Sequence, residues 1–305
     1  MMIKHWLQLI RFPNLIIIGL TQFSVQYGVL SKTFSVHQLG QQIDTLFFLK
    51  IMMLSIGTAA GGYIINDIVD IAIDAINKPE KQIVSKKITL ARAQKTYLIT
   101  LIISVLIALS MPIACWISLL IWLIPTILLW FYSKKWKQKV LIGNLVIAFL
   151  CAYTPMILFI MEKKGIDYLE KNHFPSFERL MIILATYVSM AFLTTLFREM
   201  IKDIEDMEGD KMGHCATLPI VYGLETARKM ALGVGAFLMM ILVLALVWKP
   251  NLFAIQFYIL LIIFGMMLNT LIVLSRATTK SEFASLSKRA KWMMLTGLCY
   301  LFGFI

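Results

Sequence analysis

Nine predominantly apolar runs divide this chain of 305 residues, near 14–30, 46–66, 94–111, 113–132, 141–161, 178–198, 228–248, 252–274 and 289–305. At ~1.5 Å rise per helical residue, runs of this length match the roughly 30 Å hydrocarbon core of a bilayer. Backbone polar groups find no water there, so such runs must be helices or strands of a closed barrel. Continuous apolarity, without strict alternation, selects helices. The composition agrees: 59% of residues are hydrophobic and 15% charged, against about 25% charged in a soluble domain. Mean hydropathy is +0.80. The expectation is an all-α integral membrane protein of nine transmembrane helices, a single domain over 1–305.

The formal net charge of +12 would suggest nucleic acid in a soluble chain. Here the basic residues flank the spans. If alternate loops share a side, starting from the N-terminus, one side holds 22 of the 29 Lys and Arg residues. That bias places the N-terminus in the cytoplasm and the C-terminus outside, in the cell membrane. No nucleic acid or obligate protein partner is implied; the surroundings are membrane lipid. The opening segment MMIKHWLQLIRFPN is too polar for the core of a cleavable signal. It reads as an interfacial helix over 1–13 ending at Pro13. Cys115, Cys151, Cys215 and Cys299 show no metal-ligand spacing.

Two segments expected on the cytoplasmic side, 67–93 and 199–227, hold most of the aspartates. The first opens with Asn66, Asp67, Asp70 and Asp74 in NDIVDIAID. The second contains Asp203, Asp206 and Asp210 in DIEDMEGD. Both read D-x-x-D-x-x-x-D, and offsets of three and seven return side chains to one helical face. Like charges so placed repel, and acids near a bilayer are costly. A cation should therefore neutralise them. Hard oxygen donors without a His or Cys cluster suit Mg²⁺, which joins a few carboxylates to substrate phosphates. Lys78 and Lys81 follow the first column, Arg198 and Lys202 precede the second, and YSKKWKQK supplies Lys137. Acids, metal and lysines at one face would stabilise a departing diphosphate, and the apolar helices would hold a hydrocarbon tail.

With these motifs, the chain resembles the UbiA superfamily of intramembrane prenyltransferases, which carries NDxxDxxxD after its second span and a second Asp-rich motif after its sixth. RFPN before the first span, INKPE after the first motif, and GDKMGHCATLPIVYG also match, so the resemblance covers nearly the whole chain. It implies nine transmembrane helices around a central cavity, with 67–93 and 199–227 as cytoplasmic cap loops, and Mg²⁺ held by Asn66, Asp67, Asp70, Asp74, Asp203, Asp206 and Asp210, with Asp67, Asp70, Asp203 and Asp206 carrying catalysis. It implies diphosphate contacts at Tyr132 and Lys137, cations at Lys78 and Lys81, and a substrate contact at Asn14 of RFPN. The family usually reads NKPxRPIxxG; here Lys81 replaces Arg, Gln82 replaces Pro and Lys86 replaces Gly. REMIKDIEDMEGD is most similar to the branch making digeranylgeranylglyceryl phosphate. That branch implies a geranylgeranyl diphosphate donor and a geranylgeranylglyceryl phosphate acceptor, with Arg198 and Lys202 available to the acceptor phosphate.

Several readings stand beside this one. An aromatic acceptor of the 4-hydroxybenzoate type is the alternative within the family. A cation transporter is the alternative outside it, but a transporter favours acids at mid-span, whereas these gather at span ends. A phospholipid synthase acting on a CDP-alcohol would carry D-G-x-x-A-R, which does not occur. Asn144, at the inner start of the fifth span, suits either helix packing or substrate contact. His214, beside the second motif, reads as a loop histidine or a base.

Overall fold

The computed structural model describes residues 2–77, 79–80, 82–111, 115–247 and 255–302. The first helix, Met2–Leu9 (α1), stops at Leu9 and not at Pro13. Arg11 turns the chain in a left-handed conformation (φ 50°, ψ 51°), and Pro13 lies in the first turn of Phe12–Phe23 (α2). Proline is tolerated there because its missing N–H would have had no helical partner. α2 runs into a π-helical stretch, Ser24–Leu30, and then into Ser31–Val36 (α3).

Thr45–Val69 (α4) is capped by Asp44, whose carboxylate accepts from Phe47 N at 2.7 Å. It ends at Asp70, and Ile71–Asn77 (α5) follows. Leu90–Leu109 (α6) and Cys115–Lys134 (α7) pack on α4. A single 3₁₀ turn, Trp136–Gln138, leads to Ile142–Met161 (α8). The connection between the apolar runs 141–161 and 178–198 contains a helix, Lys163–Asn172 (α9). Phe174–Glu205 (α10) is the longest element, and Met207–Met212 (α11) follows it. Leu218–Val247 (α12) is broken at Gly223 (φ 83°, ψ 162°), a conformation that glycine accepts at no steric cost. Ile255–Arg276 (α13) and Lys280–Phe302 (α14) complete the bundle.

α10 is the central post, packing against α8, α12 and α14. Two apolar cores lie along it, one including residues of its first half and one residues of its second. One centres on Phe34, Ile51 and Leu54 with Leu158 and Leu180. The other centres on Phe197, Ile201 and Leu238 with Leu274 and Phe283. Close approach in the second needs Gly235, where a Cβ would fall 2.4 Å from Leu271. The outer surface is also apolar: Leu98, Ile102 and Leu106, one face of α6, stay 48–58% exposed. That face suits lipid.

Among the described residues, seven helices are long and apolar enough to cross a membrane. The expected count of nine is not reached, for two reasons. The run at 14–30 falls on twelve-residue α2 and the seven-residue π stretch, neither long enough alone. The run at 289–305 belongs to α14, whose first half carries Lys280, Glu282, Lys288, Arg289 and Lys291. Pro112, between the apolar runs 94–111 and 113–132, lies outside the described residues.

Candidate active site at the mouth of a membrane cavity

The two aspartate columns form at two helix breaks. α4 gives way to α5 at Asp70, and α10 gives way to α11 at Asp206. α11 then packs on α5: a Cβ at Gly213 would lie 3.3 Å from Ile73. Columns separated by more than a hundred residues thus face each other. Asn66, Asp67, Asp70, Asp74, Asp203, Asp206 and Asp210 all line one cavity of about 950 Å³. Asn14, Tyr132, Lys137, Arg198 and Lys202 line it too. Its deeper wall is apolar, with Leu54, Ile121 and Ile157 on one side and Leu238, Leu242 and Met267 on the other. Both cores therefore contribute to it.

The acids are held individually. Lys137 reaches Asp70 as an ion pair and donates to Asn66 Oδ1 at 3.3 Å, while Asn66 Nδ2 donates to Asp70 Oδ2 at 2.8 Å. Arg11 Nη2 donates to Asp67 Oδ1 at 3.2 Å. Asn144 Nδ2 donates to Asp203 Oδ2 at 2.8 Å, so Asn144 supports an acid and does not itself line the cavity. Thr217 Oγ1 donates to Asp210 Oδ2 at 3.2 Å. Burial, and then the neighbouring Asp206 charge, pushes the Asp210 carboxyl up to about 6. Lys137 owes its position to Gly143: a Cβ there would sit 2.7 Å from Lys137 Cα. The backbone of the same turn accepts Ala216 N at Gln138 O, 2.8 Å, tying it to the second motif.

The donors suit a hard divalent cation. Yet among the described residues no group of three or more His, Cys, Asp or Glu stands arranged to hold a metal ion. Mg²⁺ asks for less, since it commonly takes one or two carboxylates and completes its shell with water and substrate phosphate. The charges of Asp206 and Asp70 both act on Asp210, so a cation beside Asp210 would relieve their repulsion.

Lys78 and Lys81 lie outside the described residues. Gln82, where the family has proline, is buried and donates from Nε2 to Ile71 O at 2.9 Å. It pins the following loop to the start of α5. His214 is exposed and does not line the cavity. Three further residues stand on the wall. Arg11 lies over the Tyr63 ring, 4.7 Å from its centroid. Glu199, 8% exposed, pairs with Arg198 and lies 3.9 Å from Lys202. Lys291 donates to Asn14 Oδ1 at 2.9 Å. Arg11 sits inside RFPN and Glu199 inside REMIKD, so motif position could have flagged both. Lys291 carries no motif signal.

A profile of the UbiA prenyltransferase family matches residues 35–295. The chain belongs to the UbiA prenyltransferase family. It is 31% identical to digeranylgeranylglyceryl phosphate synthase of Methanocaldococcus jannaschii, covering 99% of this chain and 97% of the relative. It is 28% identical to the synthase of the same name from Saccharolobus solfataricus, covering 100% and 97%. A solved structure concerned with digeranylgeranylglyceryl phosphate synthase in membranes superposes with a TM-score of 0.66 at 29% identity, covering 100% of this chain and 99% of that one. A UbiA homologue from Archaeoglobus fulgidus bound to GPP and Mg²⁺ shares the fold, with a TM-score of 0.56 at 14% identity over 97% and 99%. The chain is thus an integral membrane prenyltransferase of the all-helical UbiA fold. The transporter reading falls with this membership.

Proposed function

We propose that this enzyme transfers a geranylgeranyl group from geranylgeranyl diphosphate to the free hydroxyl of geranylgeranylglyceryl phosphate. The allylic C–O bond to diphosphate breaks, an ether C–O bond forms, and the hydroxyl proton is lost. The observation that carries the reading is the convergence of both aspartate columns and Lys137 at the mouth of one cavity with apolar walls. The naming of the archaeal relatives supports the choice of donor and acceptor. The Mg²⁺ and prenyl diphosphate of the Archaeoglobus homologue support metal dependence.

In this reading Asp67, Asp70, Asp74, Asp203, Asp206 and Asp210, with Asn66, orient the donor's diphosphate head. Mg²⁺, when bound, would supply positive charge to the departing diphosphate. Lys137 and Tyr132 contact the diphosphate directly, and Lys137 can turn from Asp70 to a phosphate oxygen without leaving the site. Lys78 and Lys81 belong to the same head-group contacts. Asn144 holds Asp203 in register. The apolar walls exclude water, which would otherwise capture the allylic cation as an alcohol. Arg198 and Lys202 face the acceptor's phosphate. The basic-residue bias puts this mouth, and the N-terminus, on the cytoplasmic side.

Purified protein should be given Mg²⁺ and labelled geranylgeranyl diphosphate, with geranylgeranylglyceryl phosphate and 4-hydroxybenzoate in parallel tubes. An ether-linked product in the first tube is expected. Prenylated benzoate alone would replace the acceptor, and product in neither would refute the substrate assignment.

A further inference from the structure

The charges on the cavity wall are unevenly mixed. Asp70, Asp74, Asp206 and Asp210 gather where α5 meets α11. Arg11, Arg198, Lys202 and Lys291 line the wall from the α2, α10 and α14 side. α10 also brings Glu199, Asp203 and Glu205 to the wall, and α14 adds Lys288. Asp67 answers Arg11, and one carboxylate, Glu199, serves both Arg198 and Lys202. Among the described residues Lys291 pairs with no acid: its hydrogen bond is to the Asn14 amide oxygen, and the charges of Arg198 and Arg11 bear on it. Arg198 also keeps a buried Nε–H that finds no acceptor among the described residues. Cations placed together in a low-dielectric wall, with a donor to spare, are unfavourable unless an anion joins them.

α14 continues the pattern along one face. Lys291, Met294 and Leu298 line the cavity at spacings of three and four, so the wall passes from ammonium to thioether to aliphatic within two turns. An amphiphile with an anionic head and an apolar tail matches that gradient. The donor's diphosphate would lie at the other pole, with the carboxylates and Lys137.

We propose that Lys291, with Arg198 and Arg11, binds the phosphomonoester head of the acceptor, whose tail lies along the α14 face past Met294 and Leu298. The inference deepens the function proposed above and rests on it for the acceptor's identity. Lys291 is then the residue that selects a phosphorylated acceptor over a neutral one. Asn14 orients its ammonium, and Glu199 limits the repulsion between Arg198 and Lys202.

The test separates the subsite from the reaction. Protein in nanodiscs, without Mg²⁺ or prenyl diphosphate, is titrated with hexadecyl phosphate and with hexadecanol. Lys291→Gln should weaken hexadecyl phosphate about tenfold, the size of one lost charge-assisted hydrogen bond. It should leave hexadecanol binding unchanged, and Lys291→Arg should restore most of the phosphate affinity. Unchanged phosphate binding in Lys291→Gln overturns the proposal, as does parallel loss of phosphate and alcohol. An equal loss of Mg²⁺-dependent affinity for geranylgeranyl diphosphate also overturns it, because Lys291 would then serve the donor. If hexadecyl phosphate depends on Lys291 but geranylgeranylglyceryl phosphate is not prenylated, the subsite stands and the acceptor's identity falls.

Discussion

At the residue scale the site is a set of carboxylates that the fold has already partnered. Asp67 has Arg11, Asp70 has Lys137 and Asn66, Asp203 has Asn144, and Asp210 has Thr217. Each partner keeps an acid ionised or oriented near lipid, where an uncompensated charge is costly. Asp67→Ala and Asp206→Ala should each abolish prenyl transfer, measured as labelled product, while the protein still partitions to the membrane fraction. Glu199 behaves differently, since its task is to neutralise two cations. Glu199→Ala should destabilise the protein by about 2 kcal/mol, below the usual cost of breaking a buried pair because Arg198 and Lys202 remain about one-third exposed. Unfolding in a titration with sodium dodecyl sulfate would read that shift. The Asp columns were legible from spacing alone. Glu199 was marked only by its place in REMIKD, and Lys291 not at all, because it sits in a basic cluster that topology already accounts for.

At the scale of elements, the helix breaks matter most. Had α4 and α10 continued straight, their lower aspartates would have followed the helix axes away from each other. The breaks at Asp70 and Asp206 let α5 and α11 fold together across the mouth. The 3₁₀ turn that carries Lys137 depends on glycine in the same way. Gly143→Ala would place a methyl against the Lys137 backbone, and something there must move. Misplacement of a positioning group by about 1 Å can cost on the order of 10²-fold in rate. We expect a fall of about that size in prenyl transfer, with the melting temperature little changed. Spans were readable from apolar runs, but their ends were less so. α10 reaches Glu205, well past the expected end at 198, because a helix can continue beyond the bilayer where its apolar pattern stops. The π stretch at Ser24–Leu30 left no sequence signal that would have split the first run.

At the scale of the molecule, the cavity joins two cores and one polar mouth. Because the carboxylates are held by the chain's own donors, the fold should not need the metal. Removal of divalent cations with EDTA should stop transfer and leave the circular dichroism of the helices unchanged, and added Mg²⁺ should restore the rate. Unfolding on chelation would show that the metal is structural. The sequence by itself determined that the chain is helical, that it lies in a membrane, and that two acidic columns belong at span ends. Those properties depend on local composition and on periods of three to seven residues, which the helix enforces wherever it forms. Only the tertiary structure decided that the columns face one another and that Asn144 supports an acid instead of lining the cavity. It also brought Arg11, Arg198 and Lys291, from three distant segments, onto one wall. Convergence of that kind depends on how helices cross and where they break, and no local period encodes it.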